Sequence, residues 1–299
     1  MIIYTIIVTY NAIQWIEHCL DCLSHSTIPT TPIVIDNGST DGTRNFIPTH
    51  YPQAVWLPQD KNLGFGQGNN VGIRYAIEHQ ADYVLLLNQD AYLHADAIEL
   101  MLKANKPHSL ISPVHLNGDG TKLDSSFRYL ISSCEKQHII DEALIRHTVC
   151  PLYAVGMISA ACWFIPASVL KEIGGFNPLF FHYGEDDNFH QRIEYHGIKT
   201  YLVTDAYICH DRGEHGNLKV FNRKRLHRDM LRIACNINWG GKKRSIQYLK
   251  LLVDCYHRFF SEHSYVPGSF LYEFFWLIFH YIIVSNSRQQ EKQKGLVWL

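Results

Sequence analysis

Residues 1–11, MIIYTIIVTYN, and residues 33–43, IVIDNGSTDGT, decide the fold of this chain. Each stretch begins with apolar, mostly β-branched side chains and ends in polar or turn-forming residues. Apolar runs without strict alternation are typical of strands buried on both faces of a parallel sheet. Residues 55–57 and 83–87 repeat the pattern. Three stretches long enough for crossover helices separate the four runs: residues 12–24, 41–47 and 66–80.

This alternation of strands and helices predicts a Rossmann-like α/β fold with a mostly parallel, doubly wound sheet. In such sheets the ligand binds beyond the carboxyl ends of the strands. Three of the predicted strands end in polar residues, at Thr9 to Asn11, at Asp36 to Gly38 and at Asn88 to Asp90. We therefore expect these three strand ends to converge on one ligand site.

The pattern after Asp90 is mixed and predicts a small antiparallel portion followed by helices. Residues 157–165, 199–203 and 206–209 read as strands, and residues 183–196 read as a helix. From residue 222 to residue 284 the pattern is helical, with breaks at 240–241 and 267–268. These observations predict an α/β domain over residues 1–221 and a C-terminal helical extension over residues 222–299.

Composition narrows the class of protein. The hydrophobic fraction of 46% supports a substantial core. The formal net charge of −1 argues against a general nucleic-acid binder, which normally has a strong basic excess. The first residues lack a basic segment and a cleavage site, so we expect a cytoplasmic protein with reduced cysteines. Cys19 and Cys22 form a C-x-x-C pair, but Cys19 falls in an apolar stripe with helical spacing, which favours packing over redox chemistry.

Two loops carry features of a nucleotide site. Asp36, at a strand tip, can accept a hydrogen bond from a ribose hydroxyl or from the imino N–H of a pyrimidine. The simpler alternative is a capped turn, because Asn-Gly and Asp-Gly both follow it. Residues 62–72, NLGFGQGNNVG, contain glycines that allow close backbone approach. They do not match the dinucleotide-binding fingerprint, and a nucleotide-contacting loop remains the alternative.

Acidic and imidazole side chains indicate metal and proton chemistry. Asp90 follows a buried strand and suits Mn²⁺ or Mg²⁺, although a solvated loop aspartate is the ordinary alternative. His210 follows another predicted strand and suits a metal ligand, although most histidines in proteins are structural. Residues 185–187 are three consecutive acids at a predicted helix start. Capping a helix needs fewer acids than three. Neighbouring negative charges raise one another's pKa, and a carboxylate with a raised pKa is a better general base.

In this order the motifs resemble the inverting GT-A-fold glycosyltransferases of family 2, in the branch that contains rhamnosyltransferases. The resemblance runs from about residue 3 to about residue 212. It rests on six segments: VTYN (8–11), VIDNGSTDGT (34–43), NLGFGQGNNVGI (62–73), LLLNQD (85–90), GGFNPLFFHYGEDDNFHQRI (174–193) and the late His210. The resemblance implies a GT-A fold, with the helices after residue 222 outside the shared motifs.

The resemblance also implies a role for individual residues. The donor-binding residues it implies are Thr9, Asn11, Asp36, Asn62, Gly64 and Asn88. Asp90 would be the metal-binding acid and His210 the late metal-binding histidine, with Mn²⁺ or Mg²⁺ as cofactor. Asp186 would be the catalytic base, with Glu185 beside it. Asn88 departs from the family pattern, which has an acid there, and this removes one charge near the metal.

The expected reaction is transfer of a sugar from a UDP- or dTDP-sugar to an acceptor hydroxyl in surface polysaccharide synthesis. A saccharide or lipid-linked saccharide is the expected acceptor, with Trp163 and Phe181 as candidates for the acceptor side. A pyrophosphorylase would need a basic, glycine-rich loop after the first strand, which residues 8–15 lack. The remaining alternative is an inactive GT-A-like nucleotide-binding or scaffolding module.

The C-terminal extension contains a strongly apolar stretch over residues 270–284. It is shorter than the ~20 residues that a spanning helix needs. It would lie on the cytoplasmic face of the inner membrane, or it would pack on the catalytic domain or form a homodimer. Because Glu273 and His280 interrupt the apolar face, the pattern favours packing.

Overall fold

A computed structural model describes residues 1–104, 106–132, 137–212, 223–262 and 268–299. The predicted domain boundary between residues 221 and 222, the cysteine at position 134 and the predicted break at Pro267 lie outside these ranges. The boundary therefore stays a prediction.

One mixed sheet organises the described residues. Its strands are β1 Ile3–Thr9, β2 Thr31–Asp36, β3 Val55–Pro58, β4 Tyr83–Leu87, β5 Ala91–Leu93, β6 Ser109–Asn117, β7 Leu152–Val155, β8 Cys162–Pro166 and β9 Lys199–His210. The spatial order is β3-β2-β1-β4-β8-β6-β9-β5, and β7 pairs with β9. The pairings show which strands are parallel to one another. One direction is shared by β1, β2, β3, β4, β6 and β9, and the opposite direction by β5, β7 and β8. The predicted fold class is confirmed.

Helices cover both faces of this sheet and form the C-terminal part. They are α1 Ile16–Ser24, α2 Thr43–His50, α3 Phe65–Glu78, α4 Ala97–Lys103, α5 Ser125–Ile131, α6 Gln137–Asp141, α7 Ala167–Ile173, α8 Glu185–Tyr195, α9 Arg223–Cys235, α10 Gly241–Glu262, α11 Gly268–Phe279 and α12 Tyr281–Glu291. A single π-helical turn spans Glu142–Arg146.

Two hydrophobic layers explain why the first strands lack polar alternation. Along β1, Ile3 and Ile7 pack on the side of α1 and α4, whereas Ile6 packs on the side of α3, α7 and α8. Since both faces are covered, most positions of the strand are apolar, and the buried Thr5 hydroxyl shares a hydrogen bond with the Thr30 hydroxyl. Cys19 is buried in the first layer, which agrees with its predicted packing role.

The second half of the sheet differs from its predicted elements. The strand expected over residues 157–165 is shorter and later, at β8. The two strands expected after residue 198 are one continuous strand, β9. Strand β6 was not anticipated because Pro113 interrupts its sequence pattern. The structure accommodates this proline with a shift of register between Pro113 and Val114, a bulge that leaves the ladder intact on either side.

The end of the chain returns to the α/β part. The Glu291 carboxylate on α12 accepts hydrogen bonds from the amides of Asn177 (2.6 Å) and Asn188 (2.7 Å). Glu291 is fully buried. Further on, Leu299 packs against the hydrophobic layer that contains α3, α7 and α8. The final helix is therefore anchored to α8, the helix that begins with the three acids.

Helix α11 has an unusual distribution of polarity. Its inner side carries Glu273, which is buried and paired with Arg223 (2.8 Å) and His227 (2.6 Å) of α9. Its outer side exposes Leu271, Phe274, Phe275 and Ile278. The predicted packing therefore holds for one side of this helix only. Among the described helices, none by itself is long and apolar enough to cross a membrane. Helices α11 and α12 taken together are long and apolar enough, but the angle between them is 69°.

Candidate active site

Three strand ends converge at one edge of the sheet. The backbone N–H of Tyr10, after β1, donates to the Gln89 side chain after β4 (2.8 Å). The Asn11 N–H donates to the Ser39 hydroxyl (2.9 Å), and the Asn11 side-chain oxygen accepts from the Thr40 N–H (2.8 Å). Asn11 has a φ of 51°, a left-handed conformation that asparagine tolerates better than most residues. The side chains after β1, β2 and β4 thus form one polar rim.

Asp36 lies beneath this rim and holds its shape. The carboxylate is fully buried. It accepts from the Ser39 N–H at 3.3 Å and from the Thr9 hydroxyl at 3.4 Å. Thr9 is buried as well. These contacts support the capped-turn interpretation of Asp36, in which the carboxylate positions residues 37–43, and leave base recognition by Asp36 a prediction.

The glycine-containing loop before α3 closes the next side of the site. The Asn62 side-chain oxygen accepts from the Gly64 N–H (2.8 Å), and the Asn37 amide donates to the Gly64 carbonyl (3.2 Å). Gly64 has a φ of +83°, and a Cβ there would lie 2.0 Å from the Phe181 carbonyl oxygen. Only glycine fits this position, because any side chain would collide with backbone. The loop therefore touches the segment that leads into α8.

Asp90 and His210 meet across the antiparallel pair β5–β9. Residue 91 is the register partner of His210, and His210 Nε2 lies 3.3 Å from Asp90 Oδ1. The Asn88 amide nitrogen lies 3.3 Å from the same ring nitrogen. The Asn88 Oδ1 atom is buried without a hydrogen-bond partner. Residues 120 positions apart in sequence are thus gathered at the rim, as the sequence predicted.

This group fits a divalent cation that takes most of its ligands from phosphate and water. The described residues hold no cluster of three or more His, Cys, Asp and Glu side chains that would bind a metal by themselves. However, an imidazole and a carboxylate oxygen face each other, and the orphaned amide oxygen of Asn88 is beside them. Imidazole and oxygen ligands suit Mn²⁺, and Mg²⁺ binds proteins through one or two carboxylates plus substrate phosphates.

Sequence reasoning missed the carboxylate behind His210. Asp124 is buried, and its Oδ2 lies 3.9 Å from His210 Nδ1 and 2.9 Å from Arg212 Nε. At this distance Asp124 makes no hydrogen bond to His210 Nδ1, which is buried without a hydrogen-bond partner, but it places a negative charge behind the imidazole. The side chain of Asp124 also caps α5 by accepting from the Phe127 N–H (2.9 Å). A capping pattern could have located this helix start, but no sequence signal places it beside His210.

A basic cavity of about 510 Å³ adjoins His210 and Asp124. It lies where β6 and β9 end, at the same edge of the sheet as the strand ends described above. Its cationic lining residues are Lys122, Arg128 and Arg212, and Asp211 is the second acid in its wall. Three cations beside a candidate cation site suit a ligand with several negative charges.

The three acids at the start of α8 have different surroundings. Glu185 is buried, its Oε2 has no hydrogen-bond partner, and burial, followed by the Asp186 charge, raises its pKa to about 8. Asp187 pairs with Arg232 of α9 (2.6 Å). Asp186 accepts from the N–H of its neighbour Asp187 (2.9 Å). Within the described residues no hydrogen bond or ion pair joins Asp186 to Asp90 or His210.

The two predicted acceptor residues have opposite environments. Trp163 is fully buried between Phe176 and Phe189, and its indole N–H donates to the Ile158 carbonyl (3.2 Å). It has no surface to offer an acceptor, so its predicted role is corrected to packing. Phe181 is exposed, and its backbone contacts the Gly64 loop.

Comparison with known proteins gives one family and several relatives. Residues 4–174 match Glycosyl transferase family 2. An N-acetylglucosaminyl-diphospho-decaprenol L-rhamnosyltransferase of Mycobacterium tuberculosis is 26% identical over 226 residues, which cover 68% of this chain and 74% of that protein. A low-salt glycan biosynthesis hexosyltransferase of Haloferax volcanii is 28% identical over 170 residues, covering 52% of this chain and 51% of that protein.

Solved structures show the same fold. TarS 1–349 of S. aureus in complex with UDP superposes with a TM-score of 0.53 at 17% identity, over 87% of this chain and 72% of that one. The mannosyltransferase PcManGT of Pyrobaculum calidifontis, in complex with GDP-Man and Mn²⁺, superposes with a TM-score of 0.57 at 17% identity. The superposition covers 97% of this chain and 83% of that one. At these identities the likeness concerns the fold alone.

Proposed function

The chain belongs to glycosyl transferase family 2, and from this premise we propose that it transfers a hexosyl or rhamnosyl residue from a UDP- or dTDP-sugar to an acceptor hydroxyl. The transfer inverts the anomeric configuration and serves surface polysaccharide synthesis. The observation that carries the proposal is the meeting of Asp90 and His210 at 3.3 Å on the rim that also holds the Asn11 turn. The mycobacterial relative, whose name specifies a decaprenyl-diphosphate acceptor, supports a lipid-linked saccharide as acceptor.

The donor's nucleoside lies along the ends of β1 and β2 in this proposal. Thr9 and Asn11 line one side, and the turn that Asp36 holds lines the other. Asn62 and Gly64 form the wall next to α3, where the Gly64 backbone allows close approach. The support is the hydrogen-bonded network that joins these residues, since a preorganised rim costs little to order when the nucleotide binds.

The donor's diphosphate lies between the nucleoside turn and the basic cavity. Asp90 and His210, with the Asn88 amide oxygen, would hold Mn²⁺ or Mg²⁺, which neutralises charge on the departing phosphate as a Lewis acid. Lys122, Arg128 and Arg212 line the cavity on the far side of His210. Their positive charges, offset in part by Asp124 and Asp211, would attract the diphosphate toward this edge of the sheet. The buried Asp124 carboxylate, 3.9 Å from His210 Nδ1, places a negative charge behind the imidazole.

Proton transfer is assigned to Asp186. The acceptor hydroxyl attacks the anomeric carbon as the bond to the diphosphate oxygen breaks, and its proton passes to the Asp186 carboxylate. Direct displacement by one nucleophile inverts the configuration. The raised pKa of Glu185 keeps this neighbour protonated near neutral pH, so the first turn of α8 carries less negative charge. Phe181 lies beside the donor loop and is assigned to the acceptor side.

A nucleotide panel tests the proposal. Thermal unfolding is measured with UDP, dTDP, GDP and ADP and with their sugar conjugates, each with Mn²⁺, with Mg²⁺ and with EDTA. We expect one base to raise the Tm selectively and the effect to need the cation, because ligands that bind only the folded state stabilise it. Release of the matching nucleoside diphosphate on addition of an acceptor then reports turnover. Selective binding without turnover on any lipid-linked or free saccharide would favour the inactive binding module.

A further inference from the structure

We propose that the C-terminal helices dock this protein on an anionic lipid surface through the outer face of α11 and the start of α12. This inference goes beyond sugar transfer and does not depend on it. The surface, called the apolar face below, consists of Leu271, Phe274, Phe275, Ile278, Phe279 and Ile282.

The first observation is the exposure of these side chains. Phe279 is 82% exposed and Ile282 is 72% exposed, and the other members are exposed as well. The opposite side of α11 buries Glu273, which is 2% exposed, against Arg223 and His227. A helix of a water-soluble surface has the reverse arrangement, with charge outside and apolar side chains inside. A contiguous apolar surface of this kind marks an interaction site.

The second observation is the charge of the surrounding segment. Residues 222–299 contain thirteen Lys and Arg against five Asp and Glu, a formal charge of +8, whereas the whole chain carries −1. On α10 the exposed residues Leu249, Val253 and Tyr256 lie on one face, and Lys242 lies two turns before Leu249 on that face. Cations beside exposed aliphatic and aromatic side chains fit an anionic lipid surface.

The positive charge of this segment also favours one partner over another for the apolar face. A homodimer with twofold symmetry would bring the same surface of two copies together. Two segments with an excess of cations would then approach each other, even though Arg232 and Lys294 pair with acids outside the segment, and like charges brought together weaken association. A lipid surface with anionic headgroups has the complementary charge. Lipid is therefore the occupant that these residues favour over a second copy.

The geometry indicates a helix that lies on the membrane and does not cross it. Helix α11 has 12 residues, about 18 Å of helix at ~1.5 Å per residue, against a hydrocarbon thickness of ~30 Å. Helix α12 turns away by 69°. Its second half is committed to the protein, because Ser287 and Glu291 are buried against Asn177. Only the apolar face and the first turn of α12 remain for lipid.

Vesicle co-sedimentation of the full chain tests this inference. The vesicles are phosphatidylcholine with or without phosphatidylglycerol, at low and at high salt. We expect binding to the anionic vesicles that weakens with salt. The triple variant Phe275→Ser, Ile278→Ser, Phe279→Ser should lower the partition coefficient at least ~10-fold. The matched control Leu144→Ser with Ile145→Ser replaces apolar residues that are equally exposed, at the π-helical turn, and should bind like wild type.

A second variant keeps the test independent of the triple substitution. Lys242→Gln with Lys243→Gln should weaken binding to anionic vesicles by about five-fold per charge and leave binding to neutral vesicles unchanged. Sedimentation velocity is measured on every variant. Wild type that ignores anionic vesicles, or a triple variant that binds them like wild type, overturns the proposal. So does a wild-type dimer that becomes monomeric in the triple variant without any vesicle binding. None of these measurements uses sugar transfer, so their failure is distinct from failure of the proposed enzymatic function.

Discussion

Asn88 stands where the family pattern carries an acid, and its surroundings suit a ligand that does not need that charge. The amide nitrogen faces His210 Nε2 at 3.3 Å, and the amide oxygen is buried without a partner. A buried polar atom without a partner is costly unless a ligand satisfies it. The amide oxygen is thus available to a cation or to a donor hydroxyl.

Restoring the acid should strengthen cation binding. We expect Asn88→Asp to lower the Mn²⁺ concentration for half-maximal activity by about ten-fold, since a second carboxylate attracts a divalent ion at short range. The measurement is a Mn²⁺ titration of nucleoside diphosphate release. Asn286→Asp, an exposed position on α12, is the control. An unchanged Mn²⁺ requirement in Asn88→Asp would contradict the assignment of this corner to the cation.

Asp186, to which we assign proton transfer, is the second residue that a substitution can test. Asp186→Asn keeps the shape and the hydrogen bond to the next N–H but removes the basic carboxylate. We expect turnover to fall about 100-fold or more, with the Tm shift caused by donor unchanged. Single-turnover product formation measures it.

Glu194→Gln, an acid at the other end of α8, controls for charge loss on this helix and should retain turnover. Retained turnover in Asp186→Asn would remove Asp186 from the mechanism and make Glu185 and Asp187 the next candidates.

At the scale of elements, α8 connects the active site to the end of the chain. Its first turn carries the acids of the site. Deeper in the helix, Asn188 donates to Glu291 of α12, and Arg192 donates to the Gly175 carbonyl. The position of this turn, to which we assign proton transfer, therefore depends on the contact between α8 and the last helix.

Removing the contact between α12 and α8 should destabilise the protein. Glu291→Ala removes the carboxylate that accepts from the buried amides of Asn188 and Asn177, of which Asn177 keeps the Ser287 hydroxyl as a second acceptor. An unsatisfied buried donor costs about 1–3 kcal/mol. We expect a loss on the order of 3 kcal/mol in the free energy of unfolding, measured by urea titration. Gln289→Ala, an exposed position on the same helix, should change it little. A loss equal to that of the control would mean that α12 is not held by this contact.

At the scale of the whole molecule, two buried acids contribute to the pH dependence of stability. Burial raises the pKa of Glu185 to about 8 and that of Glu291 to about 7, from the ordinary value of 4.5. A carboxyl whose pKa is raised by folding stabilises the folded state while it is protonated. That stabilisation is present below the ordinary pKa and is lost as the pH rises through the folded value.

We therefore expect the contribution of these two carboxyls to the free energy of unfolding to fall between about pH 5 and about pH 8. Glu185→Gln, which stays neutral, should make this decline shallower by on the order of 2 kcal/mol. Urea unfolding across this range measures it, with Glu194→Gln as a control that should leave the slope unaltered. Parallel curves for wild type and Glu185→Gln would show that burial does not raise the pKa of this carboxyl as described.

Much of the α/β part was predictable from sequence because its signals are local. Strand β4 has the predicted bounds and β3 ends one residue later than predicted, since short apolar runs rich in β-branched residues and bounded by turn signals favour strands buried on both faces. Strand β6 was missed because Pro113 breaks the pattern, and only its neighbours in the sheet compensate for that residue. The predicted acceptor role of Trp163 was wrong, because the sequence pattern around an aromatic residue does not show whether its side chain is buried or exposed.

Sequence alone determined which residues end the strands, and therefore that Asp36, Asp90 and His210 would lie at one edge of a sheet. Their chemistry and their position after apolar runs are local properties. Only the tertiary structure decided that Asp124 stands behind His210, that Glu185 is buried and that α11 turns its phenylalanines outward. Each of these depends on which side chains come together from distant parts of the chain, and periodicity along one segment does not specify what covers it.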